Sequence, residues 1–427
     1  MILRSRRSAF IAMSIAGMVS IALQYLLFRH VSWNPEEPYI IAKNILAGKG
    51  YSYGFFANSL HVTCFIPPGY VGVLLLLWKC GLNDVGVQLT NALLLVLSAG
   101  FVYRIARKLQ QSRDVAVIAF AAIAFYPPFW ALVFAPSPNA LNIFLILLSC
   151  DLLLSAHQSP RIGLFVLLGL AFAAQLYIRP DVLIFIPFAA VWLWFATRKK
   201  ISHWVFIKYS FTACSVALLL ILPWTLRNYN VFHRLILMSA NGGANLWVGN
   251  NPESDGVLHP VDSPQGAYVA RENLQLDSLD DATRDDVMRT VAMNYIIANP
   301  LHAFSLFVYK SYSHWWMRPN AGEQHGGNVS RFQFAYQVLY SFVLIFSIAG
   351  LIILFSKRDY IETWLILIVF MHSTLISGIF FTQTRHRLLK DEPLMLLLGV
   401  VAIVFIINRI PRIGERLHLL FKGDTAA

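Results

Sequence analysis

Ten apolar segments, each about 20 residues long, constrain this chain more than any other feature, because a helix of that length is what crosses a membrane. They are residues 8–28, 85–104, 115–134, 139–156, 162–178, 181–197, 204–224, 333–355, 361–382 and 393–409. Of the 427 residues, 57% are hydrophobic and 13% are charged, whereas soluble domains average about 25% charged residues. This composition excludes most soluble classes and intrinsic disorder. We therefore predict an all-α polytopic membrane protein with about ten transmembrane helices.

Clusters of lysine and arginine predict the orientation, since short positive loops stay in the cytoplasm. With the N-terminus in the cytoplasm, ten spans place every cluster, and the tail 410–427, on the cytoplasmic side. The clusters are Arg4/Arg6/Arg7, Arg104/Arg107/Lys108/Arg113, Arg161, Arg198/Lys199/Lys200, Lys357/Arg358 and Arg409/Arg412/Arg416/Lys422. The first segment lacks an A-x-A-like end, so a retained anchor is favoured over a cleaved signal peptide. The net charge of +12 is then explained in large part by positive residues in cytoplasmic loops, and we expect no nucleic-acid partner.

Two long segments lie outside the membrane in this arrangement of the predicted transmembrane domain, 1–409. They are the first outer loop, residues 29–84, and the second outer segment, residues 225–332, which contains a small polar excursion. Residues 69–82 and 300–317 are apolar but short or mixed with polar side chains. We predict that both form helices lying at the outer membrane interface.

The first outer loop contains a helix start followed by an unexplained carboxylate. Asn34 is a predicted cap, Pro35 fits the first helical position, and Glu37 has the spacing of a capping box. Gly48 is a natural stop. A capping role accounts for the presence of Glu37 but not for that of Glu36. Acidic residues are, however, common at helix starts. Next to a membrane anchor, a carboxylate can take a proton from an acceptor hydroxyl.

Several short motifs, in a distinctive order, resemble those of GT-C glycosyltransferases. The run from Glu36-Glu37-Pro38-Tyr39 to Gly50-Tyr51 is similar to the first outer loop of that fold. The further elements are Pro67-Pro68-Gly69-Tyr70, Arg179-Pro180, Pro223-Trp224-Thr225-Leu226-Arg227-Asn228-Tyr229, the run Asn241 to Pro252, and Arg385-His386-Arg387-Leu388. The most specific stretch resembles bacterial relatives of protein mannosyltransferases and the lipid A aminoarabinose transferase. His386 stands where the family has Tyr.

The resemblance implies an activity and a location. Such enzymes move a sugar from a polyprenyl-phosphate carrier to a lipid, glycan or protein acceptor, here on the periplasmic face of a bacterial inner membrane. A first-loop acidic residue acts as base or orienting group, and the motif aligns Glu36 with it, with Glu37 as the alternative. Direct displacement would invert the anomeric centre. No metal site is predicted and no cofactor is certain, but a divalent cation near Glu36 stays open.

Cations at the outer ends of spans are candidates for binding the donor phosphate, because a lipid phosphate leaves with growing negative charge. They are Arg179, Arg227, Arg385, Arg387 and Lys390. The structural alternative is that they flank the spans and extend to lipid head groups.

Acceptor or sugar binding is expected from aromatic and amide side chains in both outer segments. The candidates are Tyr39, Tyr70, Asn245 and Trp247. The last two lie in a Gly/Asn-rich stretch, for which ordinary turn chemistry is the simpler interpretation. Further on, we predict a helix near 281–298 that starts at Asp280 or Asp281.

Two other functions remain alternatives. A transporter or flippase for an anionic lipid-linked substrate would use the same outer cations but should carry charges near the middle of its spans. Few charges occur inside the second to seventh spans. A structural assembly subunit without catalysis would tolerate substitution of Glu36 and Arg385.

Overall fold

The fold is described by a computed structural model that covers residues 6–29, 33, 35–54, 60–257, 276, 279–316, 331–356 and 360–409. Seventeen helices and one short hairpin form the regular structure of these residues. The helices are α1 (Arg6–Phe28), α2 (Glu37–Leu46), α3 (Gly69–Lys79), α4 (Asp84–Lys108), α5 (Arg113–Ala124), α6 (Pro127–Phe134), α7 (Asn139–Gln158), α8 (Ile162–Leu176), α9 (Val182–Thr197), α10 (His203–Phe232), α11 (Gly242–Gly249), α12 (Asp281–Ala298), α13 (Pro300–Trp315), α14 (Arg331–Phe355), α15 (Ile361–Ile379), α16 (Thr384–Lys390) and α17 (Glu392–Arg409). The hairpin pairs β1 (Ser52–Tyr53) with β2 (His61–Val62), Ser52 lying opposite Val62.

Seven of the described helices are long and apolar enough to cross a membrane, namely α1, α4, α7, α10, α14, α15 and α17. An eighth would result if α12 and α13, which are bent by 108°, counted as one span. The all-α polytopic class is therefore confirmed, although the described helices give seven or eight such spans where the sequence suggested about ten. Residues 162–178 and 181–197 form shorter apolar helices of 15 and 16 residues, α8 and α9.

The predicted third span, 115–134, is divided into two helices. α5 ends at Ala124, and α6 begins at Pro127, with proline in its first turn. Proline has no N–H to donate to the preceding turn, but it is tolerated at a helix start. Pro127 and Pro128 therefore break this segment.

Two glycines show how closely the long helices pack. A Cβ added to Gly350 of α14 would lie 1.9 Å from the carbonyl oxygen of Leu398 in α17. A Cβ added to Gly169 of α8 would lie 2.5 Å from the carbonyl oxygen of Ala213 in α10. Small residues at these crossings allow backbone-to-backbone approach, as is common between membrane helices.

In the first outer loop, α2 begins later than the sequence suggested. The predicted cap, Asn34, lies outside the described residues, as does the tail 410–427. Pro35 is not helical, so its predicted place at the first helical position is wrong: Glu36 is the N-cap and α2 starts at Glu37. A helix begun at Pro35 would require an N–H from Pro38 in its fourth position, which proline lacks. Gly48 follows the helix with a φ of 76°, as expected for a stop.

α2 packs against α3, and this contact holds the N-terminus of α2 in place. Ile41 and Ala42 of α2 are buried against Tyr70 and Leu74 of α3. The N-terminus of α3 is fixed in turn, because the Gly69 N–H donates to the carbonyl oxygen of Tyr177 at 2.9 Å. A predicted helix over 69–82 is thus found as α3.

The second outer segment forms a small unit of its own. α11 packs on α12, and Trp247, Met288 and Ala292 form its core. α12 begins as predicted, with the Asp280 side chain accepting hydrogen bonds from the N–H groups of Ala282 and Thr283. The helix expected over 300–317 is found as α13.

Candidate active site

Three charged residues from three separate elements come together at one end of the helix bundle. Glu36 is the N-cap of α2, Arg179 follows α8, and Arg385 lies on α16. Partial burial raises the pKa of Glu36 above its ordinary value of 4.5, while the positive charges of Arg385 and Arg179 oppose that rise. The sequence-predicted Glu36, Arg179 and Arg385 are therefore neighbours in the fold.

The two arginines of this group repel one another. Burial lowers the pKa of Arg179, and the charge of Arg385 lowers it further, whereas Asp181 and Glu36 raise it. Asp181 is already engaged, because it forms an ion pair with Lys390. The charges of Arg385, Glu37 and Arg179 all act on Glu36, so the two arginines lie near one another and could together bind an anion such as a phosphate.

The wall beside Glu36 is formed by Tyr70. Its side chain is buried, and the charge of Glu36 acts on its hydroxyl group. Asn91 of α4 donates to the Tyr70 oxygen at 3.5 Å and to the carbonyl oxygen of Ala135 at 3.1 Å. Tyr70 therefore belongs to the site, as a buried neighbour of the carboxylate.

Glu37, one residue later, lies beside a different partner. Burial raises the pKa of Tyr53 in β1 to about 12, and the charge of Glu37 contributes to that rise. Glu37 thus acts on the hairpin and also raises the pKa of Glu36, while Glu36 lies beside the arginines. The two carboxylates that the sequence left as alternatives have different surroundings.

Arg387 is buried and bound on all sides. Its Nη1 donates to the carbonyl oxygens of His314 (2.8 Å) and Trp316 (2.9 Å), and its Nη2 donates to the Tyr336 hydroxyl (2.8 Å). Its Nε pairs with Glu392 at 3.2 Å, and its guanidinium lies 3.5 Å from the centre of the Tyr340 ring. A guanidinium so engaged is part of the packing that holds α16.

Lys390 and Arg227, two further candidates for phosphate binding, also have protein partners. Lys390 is buried and paired with Asp181. The Arg227 Nη1 donates to the carbonyl oxygen of Thr63 and to Asn228, at 3.0 Å each, and the guanidinium lies over the Trp224 ring. Arg227 therefore holds the first outer loop against the end of α10.

Three candidates for acceptor or sugar binding pack against the protein. The Tyr39 hydroxyl donates to Asp84 at 3.0 Å, and its ring contacts Trp78. Trp247 is only 5% exposed, so its ring has no open face on which a sugar could stack. Asn245 lies on the same short helix, α11, which covers α12.

Sequence reasoning missed two residues of this region. Asp181 fixes Lys390, and its place directly after the Arg179-Pro180 motif was the available signal. His386 lies between the arginines: burial lowers its pKa well below 6.5, as do the charges of Arg179 and Arg385. Its Nδ1 is buried and has no hydrogen-bond partner among the described residues.

Among the residues that the structure describes, no three His, Cys, Asp or Glu side chains lie together in a way suited to a metal ion.

Comparison with known families gives one match, which covers the middle of the chain. Residues 68–226 match the family described as dolichyl-phosphate-mannose-protein mannosyltransferase. The matched segment runs from the start of α3 into α10, so it includes Tyr70 and Arg179 and excludes Glu36 and Arg385. Among curated proteins, no sequence matches the chain significantly. The family match agrees with the resemblance seen in the motifs, and together with the helical fold it supports a membrane glycosyltransferase of the GT-C type.

Proposed function

We propose that the chain transfers a sugar from a polyprenyl-phosphate carrier to an acceptor at the periplasmic face of a bacterial inner membrane, with inversion at the anomeric carbon. Glu36 is the base or orienting carboxylate. Arg385 and Arg179 bind the donor phosphate. The acceptor is a lipid, a glycan or a protein.

The observation that carries this proposal is the neighbourhood of Glu36. Its carboxylate lies beside Arg385 and Arg179, next to the buried Tyr70. Displacement at an anomeric carbon needs a group that receives a proton on one side and cations that accept a phosphate on the other. This cluster contains both within one site.

The reaction assigns a step to each group. The acceptor hydroxyl attacks the anomeric carbon, and its proton passes to Glu36. The bond between that carbon and the phosphate oxygen breaks, and the released polyprenyl phosphate carries the additional negative charge. Arg385 and Arg179 stabilise that charge, since a guanidinium can bind two phosphate oxygens at once.

The electrostatic balance at Glu36 suits a base. Partial burial favours its neutral form, so it takes up a proton more readily than an ordinary carboxylate. The charges of Arg385 and Arg179 oppose that rise in pKa. A base with a pKa closer to the working pH transfers protons more effectively.

Arg387 and Lys390 take a positioning role in this proposal in place of direct phosphate contact. Both belong to α16, as does Arg385, and both are anchored in buried ion pairs. Their anchoring keeps α16 from rotating, so Arg385 stays beside Glu36.

The test measures donor turnover by the full-length protein in nanodiscs. Labelled polyprenyl-phosphate sugar is supplied with an envelope extract as the source of acceptor, and released lipid phosphate is quantified. Glu36→Gln is expected to lose most of the activity, about 100-fold or more, while Glu37→Gln keeps most of it. Equal activity of Glu36→Gln and the wild type would refute the site. Absence of donor consumption by the wild type with every acceptor extract would refute the activity.

A further inference from the structure

A cleft lined by cations lies at the far end of α4 from the candidate active site. Its volume is about 360 Å³, and it is lined by Arg6, Tyr103, Arg104, Arg107, Lys108 and Gln158. α1, α4 and α7 supply these side chains. α4 has 25 residues and is therefore about 37 Å long, and Asp84 at its start holds Tyr39 of the first outer loop. The cleft and the first outer loop are thus at opposite ends of a membrane-spanning helix.

The charges in this cleft are not balanced by the protein. Asp151 of α7 pairs with Arg104 at 2.8 Å and with Lys108. Within the described chain, no carboxylate lies at ion-pair distance from Arg6 or Arg107. Four positive charges against one negative charge leave an excess of three. Such a cleft attracts anions, because its electrostatic potential is positive.

Apolar side chains continue from the cleft along the outside of the bundle. Phe10 and Met18 of α1 are 67% and 64% exposed, and Leu97 of α4 is exposed as well. In a membrane, such side chains contact acyl chains. A ligand with a phosphate and acyl chains would use both the cations and this apolar surface, whereas free phosphate would use the cations alone.

We propose that this cleft binds the headgroup of an anionic phospholipid. The phosphodiester lies against Arg6 and Arg107. The Arg107 Nη1 also donates to the carbonyl oxygen of Gln111, so its other N–H groups face the phosphate. Tyr103 and Gln158 contribute further donors at the rim. Basic pockets between transmembrane helices recognise lipid head groups through the same chemistry. The proposal stands apart from the transfer reaction, because the cleft and Glu36 lie at opposite ends of α4.

Native mass spectrometry of the full-length protein tests this site. Delipidated protein is titrated with phosphatidylglycerol or with phosphatidylcholine, and the retained lipids are counted. The double variant Arg6→Gln/Arg107→Gln removes the two cations that lack a carboxylate partner. The control Arg198→Gln/Lys199→Gln removes two exposed cations that do not line the cleft.

The wild type is expected to retain phosphatidylglycerol in preference to phosphatidylcholine. The cleft variant should bind phosphatidylglycerol about 10- to 30-fold more weakly, since each cation near a membrane surface contributes about a kilocalorie per mole. The control variant should bind like the wild type, and both variants should melt like the wild type in phosphatidylcholine. Equal weakening in the two variants would overturn the site. Full displacement of the lipid by millimolar inorganic phosphate would overturn the assignment to a lipid.

Discussion

Arg385 and Arg387 lie two residues apart on α16 and face opposite ways. Arg385 is exposed and acts on Glu36, whereas Arg387 is 2% exposed, pairs with Glu392 and stacks on Tyr340. Two residues advance an α-helix by about 200°, so one side chain must point into the bundle when the other points away. A single seven-residue helix therefore exposes one arginine beside Glu36 and uses the other as an anchor.

Replacing these two arginines by glutamine should separate activity from stability. Arg385→Gln should lower turnover about 100-fold or more, because it removes a cation next to the leaving phosphate, and it should leave the melting temperature unchanged. Arg387→Gln should destabilise the protein by about 3 kcal/mol or more, since Glu392 would stay buried without its partner. Donor turnover and thermal unfolding in the same detergent check both outcomes. If Arg387→Gln melts like the wild type and loses only activity, Arg387 contacts the substrate and its assignment as an anchor is wrong.

The fall in activity at acid pH should follow the protonation of Glu36. The base must be unprotonated, so activity falls as the pH drops through its pKa, which burial places above the ordinary 4.5. The charge of Arg385 lowers that pKa, so Arg385→Gln should shift the acid limb to higher pH. Glu36→Gln should remove the limb from the residual activity. The profile of kcat against pH in nanodiscs measures the shift, and a limb that stays in place in Arg385→Gln would contradict the proximity of the two groups.

Local sequence patterns predicted the elements well, since helix length and capping depend on neighbouring residues. The segments 8–28 and 139–156 and the cap at Asp280 all follow from such patterns. The number of spans did not follow, because a break such as that between α5 and α6 and the shorter lengths of α8 and α9 divide or shorten segments that read as continuous in composition.

The roles of the cations depended on partners that are far away in sequence. The sequence gives no reason to prefer Arg385 over Arg387 as the phosphate-binding residue, because seven residues are too few to show which face of a helix is apolar. In the structure, Arg387 stacks on Tyr340 and pairs with Glu392, so it is the buried one of the two. Trp247 was a candidate for acceptor or sugar binding, but it packs against Met288 of α12.

Asp281 should hold the first outer loop onto α12. It accepts hydrogen bonds from the Thr63 hydroxyl, from the N–H groups of Cys64 (3.0 Å) and Phe65 (3.2 Å), and pairs with Arg284. Asp281→Asn removes the negative charge and places an NH2 group against either these donors at Oδ2 or His61 and Arg284 at Oδ1. The amides of Cys64 and Phe65 should therefore exchange hydrogen about 10-fold or more faster. Hydrogen exchange of peptides covering residues 60–65 measures this. The control is Asp286→Asn, an exposed acid whose surface ion pairs contribute little.

The effect of Asp281 should also depend on pH in a defined direction. Although burial raises the pKa of Asp281, the hydrogen bonds from Thr63 and His61 and the charge of Arg284 lower it below its ordinary value. Stabilisation by Asp281 is then present above the unfolded-state pKa of about 3.9 and is lost as the pH falls through the folded-state pKa. The difference between Asp281→Asn and the wild type should be full at neutral pH and shrink below about pH 4. A difference that is as large at acid pH would show that packing, and not the charge, is lost.

Two adjacent glycines at the start of α11 give a matched pair of variants. A Cβ added to Gly243 would lie 1.9 Å from the carbonyl oxygen of Asp285 and 2.9 Å from the nitrogen of Arg289, whereas one added to Gly242 would meet no atom within 4 Å. The Gly243 N–H also donates to the Asp285 carboxylate at 2.6 Å, which fixes α11 on α12.

Gly243→Ala should therefore force α11 away from α12 and destabilise the second outer segment, by roughly 1–3 kcal/mol for a clash in a packed interface. Gly242→Ala should be neutral or slightly stabilising, because alanine favours a helix by up to about 1 kcal/mol over glycine. Thermal unfolding and trypsin cleavage after Arg289, whose side chain is already 51% exposed, distinguish the two variants, since separation of the helices loosens the α12 backbone around that bond. Equal cleavage of the two variants would mean that α11 and α12 do not pack as closely as these distances require.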